Sequence, residues 1–73
     1  MSIENKIQRL AELNAAQMMI PLADNLREER LGIFNDLKEL GVVRKENDKG
    51  GFSFIGDKAN YYKREYLDAF ENF

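Results

Sequence analysis

The chain has no cysteine, no histidine, no threonine and no tryptophan, and its only serines are Ser2 and Ser53. Without cysteine there is no disulfide framework, no thiol nucleophile and no trace of the redox compartment. The joint absence of cysteine and histidine excludes ordinary zinc sites and imidazole acid–base catalysis. Hydroxyl nucleophiles are nearly missing as well, so an enzyme is the least expected class, and neither a cofactor nor a metal is expected. Long apolar runs are also lacking. The Met18-Met19-Ile20 cluster is far too short for a signal segment or a membrane span. The expectation is a soluble cytoplasmic protein that does not contact a membrane.

What is present fits a small folded unit. The 73 residues allow one domain over residues 1–73, with a thin core for which oligomerisation is a common remedy. Apolar residues make up 44% of the chain and charged residues 33%, which favours folding over disorder. The net charge of -2 counts mildly against nucleic acid as a partner, although a local basic patch can act alone.

Ile3, Ile7, Leu10 and Leu13 recur at helical spacing, widened by Ala11 and Ala15, so a helix is predicted over residues 3–17 with Ser2 as its cap. The only proline, Pro21, marks a boundary near Met19-Ile20, because the residue before a proline is pushed toward extended backbone. Met18-Met19 is expected to bridge the first two helices. A short helix from Pro21 to Leu26 is expected next, then a longer one from Glu29 to Leu40 with Gly41 just past its end. Leu26, Ile33, Leu37 and Leu40 form its inward stripe. Val42 to Lys45 and Phe52 to Ile55 read as strands around the polar, glycine-bearing loop of residues 46–51. Asp57 is the expected cap of a last helix carrying the aromatic stripe Tyr62, Tyr66, Phe70 and Phe73.

The stretch Leu22-Ala23-Asp24-Asn25-Leu26, followed by Arg30, Ile33, Leu37 and Leu40 and then Gly41-Val42-Val43-Arg44, resembles the winged helix-turn-helix family of MarR-type and ArsR-type bacterial regulators. In that family an L-A-x-x-L helix precedes the turn, an R-x-x-V-x-x-x-L-x-x-L helix follows, and G-L-V-x-R leads into the wing. Phe54-Ile55-Gly56-Asp57-Lys58-Ala59 looks like the wing's return strand running into the closing helix. The resemblance spans about residues 20 to 67. It departs at the turn, where Arg27-Glu28-Glu29 stands in place of a glycine and a small polar residue. The implied fold class is α+β, mostly α: a small winged helix-turn-helix with a two-stranded wing and a C-terminal helix.

The resemblance implies a DNA-binding transcription regulator acting as a homodimer on double-stranded DNA. Arg30 and Asn35 would read bases from the major groove, and Lys38 would reach phosphate. Arg44, Lys45 and Lys49 in the wing would hold the backbone. The charges do not favour this use. From Leu26 to Gly50, Arg27, Arg30, Lys38, Arg44, Lys45 and Lys49 are balanced by Glu28, Glu29, Asp36, Glu39, Glu46 and Asp48.

With Ile33 set inward at about 100° per residue, Leu31, Asn35 and Lys38 point outward and Phe34 lies on the flank. An outward leucine beside an aromatic suits a protein partner. The alternative function is therefore a winged-helix protein-binding module, such as a phage-type or accessory factor that binds and modulates another protein. Its expected interface is Leu31, Phe34, Tyr66, Phe70 and Phe73, the last two also serving a dimer seam. The competing expectation for Leu31, Phe34, Tyr62 and Tyr66 is packing within the domain. Glu28-Glu29 lacks a shared helix face for acid–base work, and Gly50-Gly51 lacks the spacing of a phosphate loop.

Overall fold

The computed structural model describes residues 2–46 and 51–72. Three helices and a hairpin follow one another: α1 (Ile3–Met19), α2 (Asp24–Glu39), β1 (Val43–Lys45), β2 (Phe52–Phe54) and α3 (Ala59–Glu71). The fold is mostly helical with one two-stranded antiparallel sheet, in the register Val43 to Phe54, Arg44 to Ser53 and Lys45 to Phe52.

The first helix follows its apolar spacing. Ile7, Leu10, Ala11, Leu13 and Ala15 are buried, and the Ser2 side chain accepts a hydrogen bond from the Asn5 N–H at 3.1 Å. The helix runs on to Met19 and stops where Pro21 forces Ile20 into extended backbone. α1 is the central element. It packs against both α2 and α3, which make no direct backbone approach to each other among the described residues. The hairpin spans the gap, with β1 against α2 and β2 against α3. The core gathers Ile7, Leu10 and Leu13 of α1, Leu22 of the link, Ile33 and Leu37 of α2, and Val42 and Val43.

The expected turn at Arg27-Glu28-Glu29 is absent, and the two helices expected on either side of it form one continuous α2. The reason is local. Arginine and glutamate are good helix formers, and no glycine or proline stands between Asp24 and Leu31. Helix entry is set instead by Ala23, whose carbonyl accepts from the N–H groups of Leu26 and Arg27, both at 3.0 Å.

At the other end, Gly41 adopts φ 75°, the left-handed region in which other residues are strained. Its N–H donates to the Lys38 carbonyl at 3.1 Å, and the Val42 N–H donates to Leu37 at 2.9 Å. This double closure is a Schellman motif, sealed by the buried pair Leu37 and Val42. Leu40, expected in the inward stripe, lies at the cap and is 56% exposed. The last helix also starts differently. Gly56 turns the chain at φ 101°, so Lys58, and not Asp57, occupies the cap position.

Candidate functional site

The outward side of α2 carries Asp24, Arg27, Glu28, Leu31, Asn35, Lys38 and Glu39, all exposed. Leu31 is 57% exposed at the middle of this face. It borders two hollows that meet at Arg30 and Leu31. The larger, about 440 Å³, is lined by Gln17, Pro21, Leu22, Arg27, Arg30 and Leu31. The smaller, about 150 Å³, lies between α2 and the hairpin and is lined by Arg30, Leu31, Phe34, Lys45 and Phe52. Together they form a trough from the end of α1, past Leu31, to the hairpin.

The residues expected to read DNA are not gathered on one surface. Arg30 is half-buried, and its Nε donates to the side-chain Oδ1 of Asn14 on α1. The Asn14 amide in turn donates to the Tyr66 hydroxyl of α3 at 2.8 Å. Arg30 therefore forms one end of a polar chain that ties all three helices together. Asn35 and Lys38 remain on the open face.

In the hairpin, side chains alternate between the two sides of the strand. Lys45 shares the inner side with buried Val43 and lines the smaller hollow. Arg44 points the opposite way, opposite Ser53, and donates to Glu46 at 3.2 Å. Hydrogen bonds from Ser53 and Arg44 hold the Glu46 carboxyl below its ordinary range. Arg44 and Lys45 thus leave the strand on opposite sides. Lys49 lies outside the described residues.

The aromatic residues divide in a similar way. Phe52 is the hub of a cluster, edge-on to Phe34 at 5.7 Å, Phe54 at 5.6 Å and Tyr66 at 5.6 Å between ring centroids. Phe34 and Tyr66, expected at a protein interface, are half-buried against the core of the same subunit. Phe70 stacks on Tyr66 at 6.3 Å and is half-buried. Phe73 lies outside the described residues. Of the expected interface, Leu31 is the side chain most openly presented.

Two features were not anticipated from the sequence. Met18, Met19 and Ile20 are exposed at the end of α1 and do not bridge the helices. Their position next to a helix-ending proline was the available signal, because a helix that runs to its last turn lifts those side chains off the neighbouring element. The second is a clasp between α1 and α2. Arg9 donates to both oxygens of Glu29, from Nε at 2.9 Å and from Nη2 at 3.1 Å, and also to Glu12 at 3.2 Å.

The hydrogen bonds from Arg9 hold the Glu29 carboxyl below its ordinary value. A depressed carboxyl adds stability above the unfolded pKa, and that contribution fades as pH falls through the folded value. Glu29→Gln is therefore expected to lower Tm at neutral pH and to match the parent in acid, well below the usual glutamate pKa of about 4.3. Thermal melts across pH check this; an equal gap in acid would show that the charge is not involved.

Among the described residues, no helix is long and apolar enough to cross a membrane. Compared with protein-family models, curated proteins and solved structures, the chain finds no match.

Proposed function

We propose that the chain is a small winged helix-like domain that works as a protein-binding module, docking another protein on the outer face of α2 beside the hairpin. The layout supports the winged reading. Two helices are joined by a short link, the second runs straight into a two-stranded hairpin, and a third helix closes the domain. The observation that carries the docking reading is Leu31, exposed in the middle of α2 at the junction of two hollows. An apolar side chain held out on a rigid helix beside concave surface is the kind of anchor that dominates protein interfaces. Partner capture also suits a chain whose side chains offer almost no catalytic chemistry.

Leu31→Ser is the direct test. The change lies on an open face, so stability should move by no more than about 0.5 kcal/mol. Capture of the protein partner by the tagged chain, from nuclease-treated host lysate, should fall by at least about tenfold, as for loss of an interface anchor. Undiminished capture, or a variant that melts, would remove the basis of the reading.

A second reading, a homodimeric DNA-binding regulator, is favoured by exposed Lys38 and by Lys45 beside the same helix. Binding to duplex DNA that weakens steeply with salt and ignores Leu31→Ser would install it in place of the first.

A further inference from the structure

The charges lining the hollows beside Leu31 bear on the chemistry of a partner. We propose that the trough takes an acidic segment of another protein, one that places an aliphatic or aromatic side chain over Leu31, Phe34 and Phe52 and carboxylates beside Arg30 and Lys45. This deepens the protein-binding reading and rests on it.

The chain as a whole carries more acid than base, 13 residues against 11. The ionisable side chains lining the two hollows are nevertheless all cationic: Arg27, Arg30 and Lys45. The groove between α1 and α3, by contrast, is lined by Glu12, Glu65 and Asp68, of which Glu12 is answered by Arg9. The two hollows beside the exposed apolar anchor are thus lined by base alone, while the α1–α3 groove is lined by acid.

The cations also differ in how far their charge is already answered. Arg27 is paired with Asp24. Neither Arg30 nor Lys45 forms an ion pair with another described residue. Arg30 is fixed by Asn14, a neutral amide that orients the guanidinium without cancelling its charge. A positioned cation with unspent charge at the rim of an apolar floor is complementary to a carboxylate, which accepts charge-assisted hydrogen bonds.

The same cations would attract a nucleic acid, but the surroundings favour a peptide. Leu31, Phe34 and Phe52 supply a floor that a sugar–phosphate backbone cannot use. Glu28 and Glu39 stand exposed on the same outer face of α2, where a long polyanion lying along the helix would meet them. A short acidic segment confined to the trough avoids both.

The experiment is selection of a displayed library of random peptides on the immobilised intact chain, followed by titration of the recovered peptides. The expected winners carry net negative charge and an aliphatic or aromatic anchor. Their affinity should drop at least about tenfold against either Leu31→Ser or Lys45→Glu, both checked by circular dichroism for a retained fold. Exchanging their carboxylates for lysines should abolish binding to the parent and restore it on Lys45→Glu. Winners that are apolar, show no acidic bias and remain sensitive to Leu31→Ser would overturn this inference and leave the docking reading intact. Winners indifferent to Leu31→Ser, or displacement of every winner by duplex DNA, would overturn both.

Discussion

Leu37→Ala is expected to cost about 2–5 kcal/mol, the range for cutting a buried leucine back to alanine. Leu37 is 0% exposed and belongs to the cluster that joins α1, α2 and the start of the hairpin. A core this small supplies only about 3–5 kcal/mol of net stability, so the variant should be largely unfolded or nearly so. Each kcal/mol lost should shift Tm by roughly 4–8 °C in a domain of this length. The substitution also removes one half of the seal between Leu37 and Val42, so the cap at Gly41 should loosen with it. The control is Leu40→Ala, the same chemical change three residues later. Leu40 is 56% exposed at the helix cap, and its loss should move stability by no more than about 0.5 kcal/mol. Thermal melts of the two variants check the orientation of α2. Equal losses would mean that the helix is rotated about its axis from the position that buries Leu37, and Leu31 would then no longer lie at the centre of the outer face.

That comparison also marks where helical periodicity stops being informative. Spacing alone placed Ile7, Leu10 and Leu13 inward on α1 and Ile33 and Leu37 inward on α2, and these are buried. Leu40 obeys the same spacing, yet it sits where Gly41 turns the chain out of the helix, and periodicity does not apply across such a turn. The expected break at Arg27-Glu28-Glu29 followed from reading a short helix at Pro21 to Leu26 and a second from Glu29, a division that the family pattern reinforced, although the residues between are helix formers. The hairpin was legible because apolar β-forming residues flank a polar, glycine-bearing loop.

At the candidate site, the outward aim of Leu31, Asn35 and Lys38 follows from rotation about the helix axis and could be read in advance. The opposed aims of Arg44 and Lys45 follow equally from the two-residue period of a strand. The capture of Arg30 by Asn14 could not be read, since the two residues meet only when α1 and α2 pack. The same holds for the contrast between the basic linings beside Leu31 and the acidic lining between α1 and α3, which depends on which faces the three helices turn toward one another.

Phe52→Ala is the second large effect expected. Phe52 touches three rings on three elements: Phe34 on α2, Phe54 on its own strand and Tyr66 on α3. Because α2 and α3 do not approach each other directly, this ring is a principal link between them apart from α1 and the Asn14 hydrogen bonds. Truncating a buried phenylalanine costs about 3–5 kcal/mol; Phe52 is half-buried, so the loss should be about 2–3 kcal/mol. Phe52→Leu separates the contributions. It keeps much of the apolar area but loses the edge-to-face geometry, and should recover all but about 1 kcal/mol.

The effect should also be local. Hydrogen exchange in β1 and β2 should accelerate more than in α1, because the hairpin loses its anchor while the helical core keeps Ile7, Leu10 and Leu37. Phe52 also lines the hollow beside Leu31, so a partner that uses that floor should bind Phe52→Ala more weakly even at temperatures where the variant is folded. A Phe52→Ala protein with unchanged Tm and unchanged hairpin exchange would mean that the hairpin does not rest on the helices in solution. The trough would then lose one of its walls, and Lys45 would no longer stand beside Leu31 to meet an acidic partner.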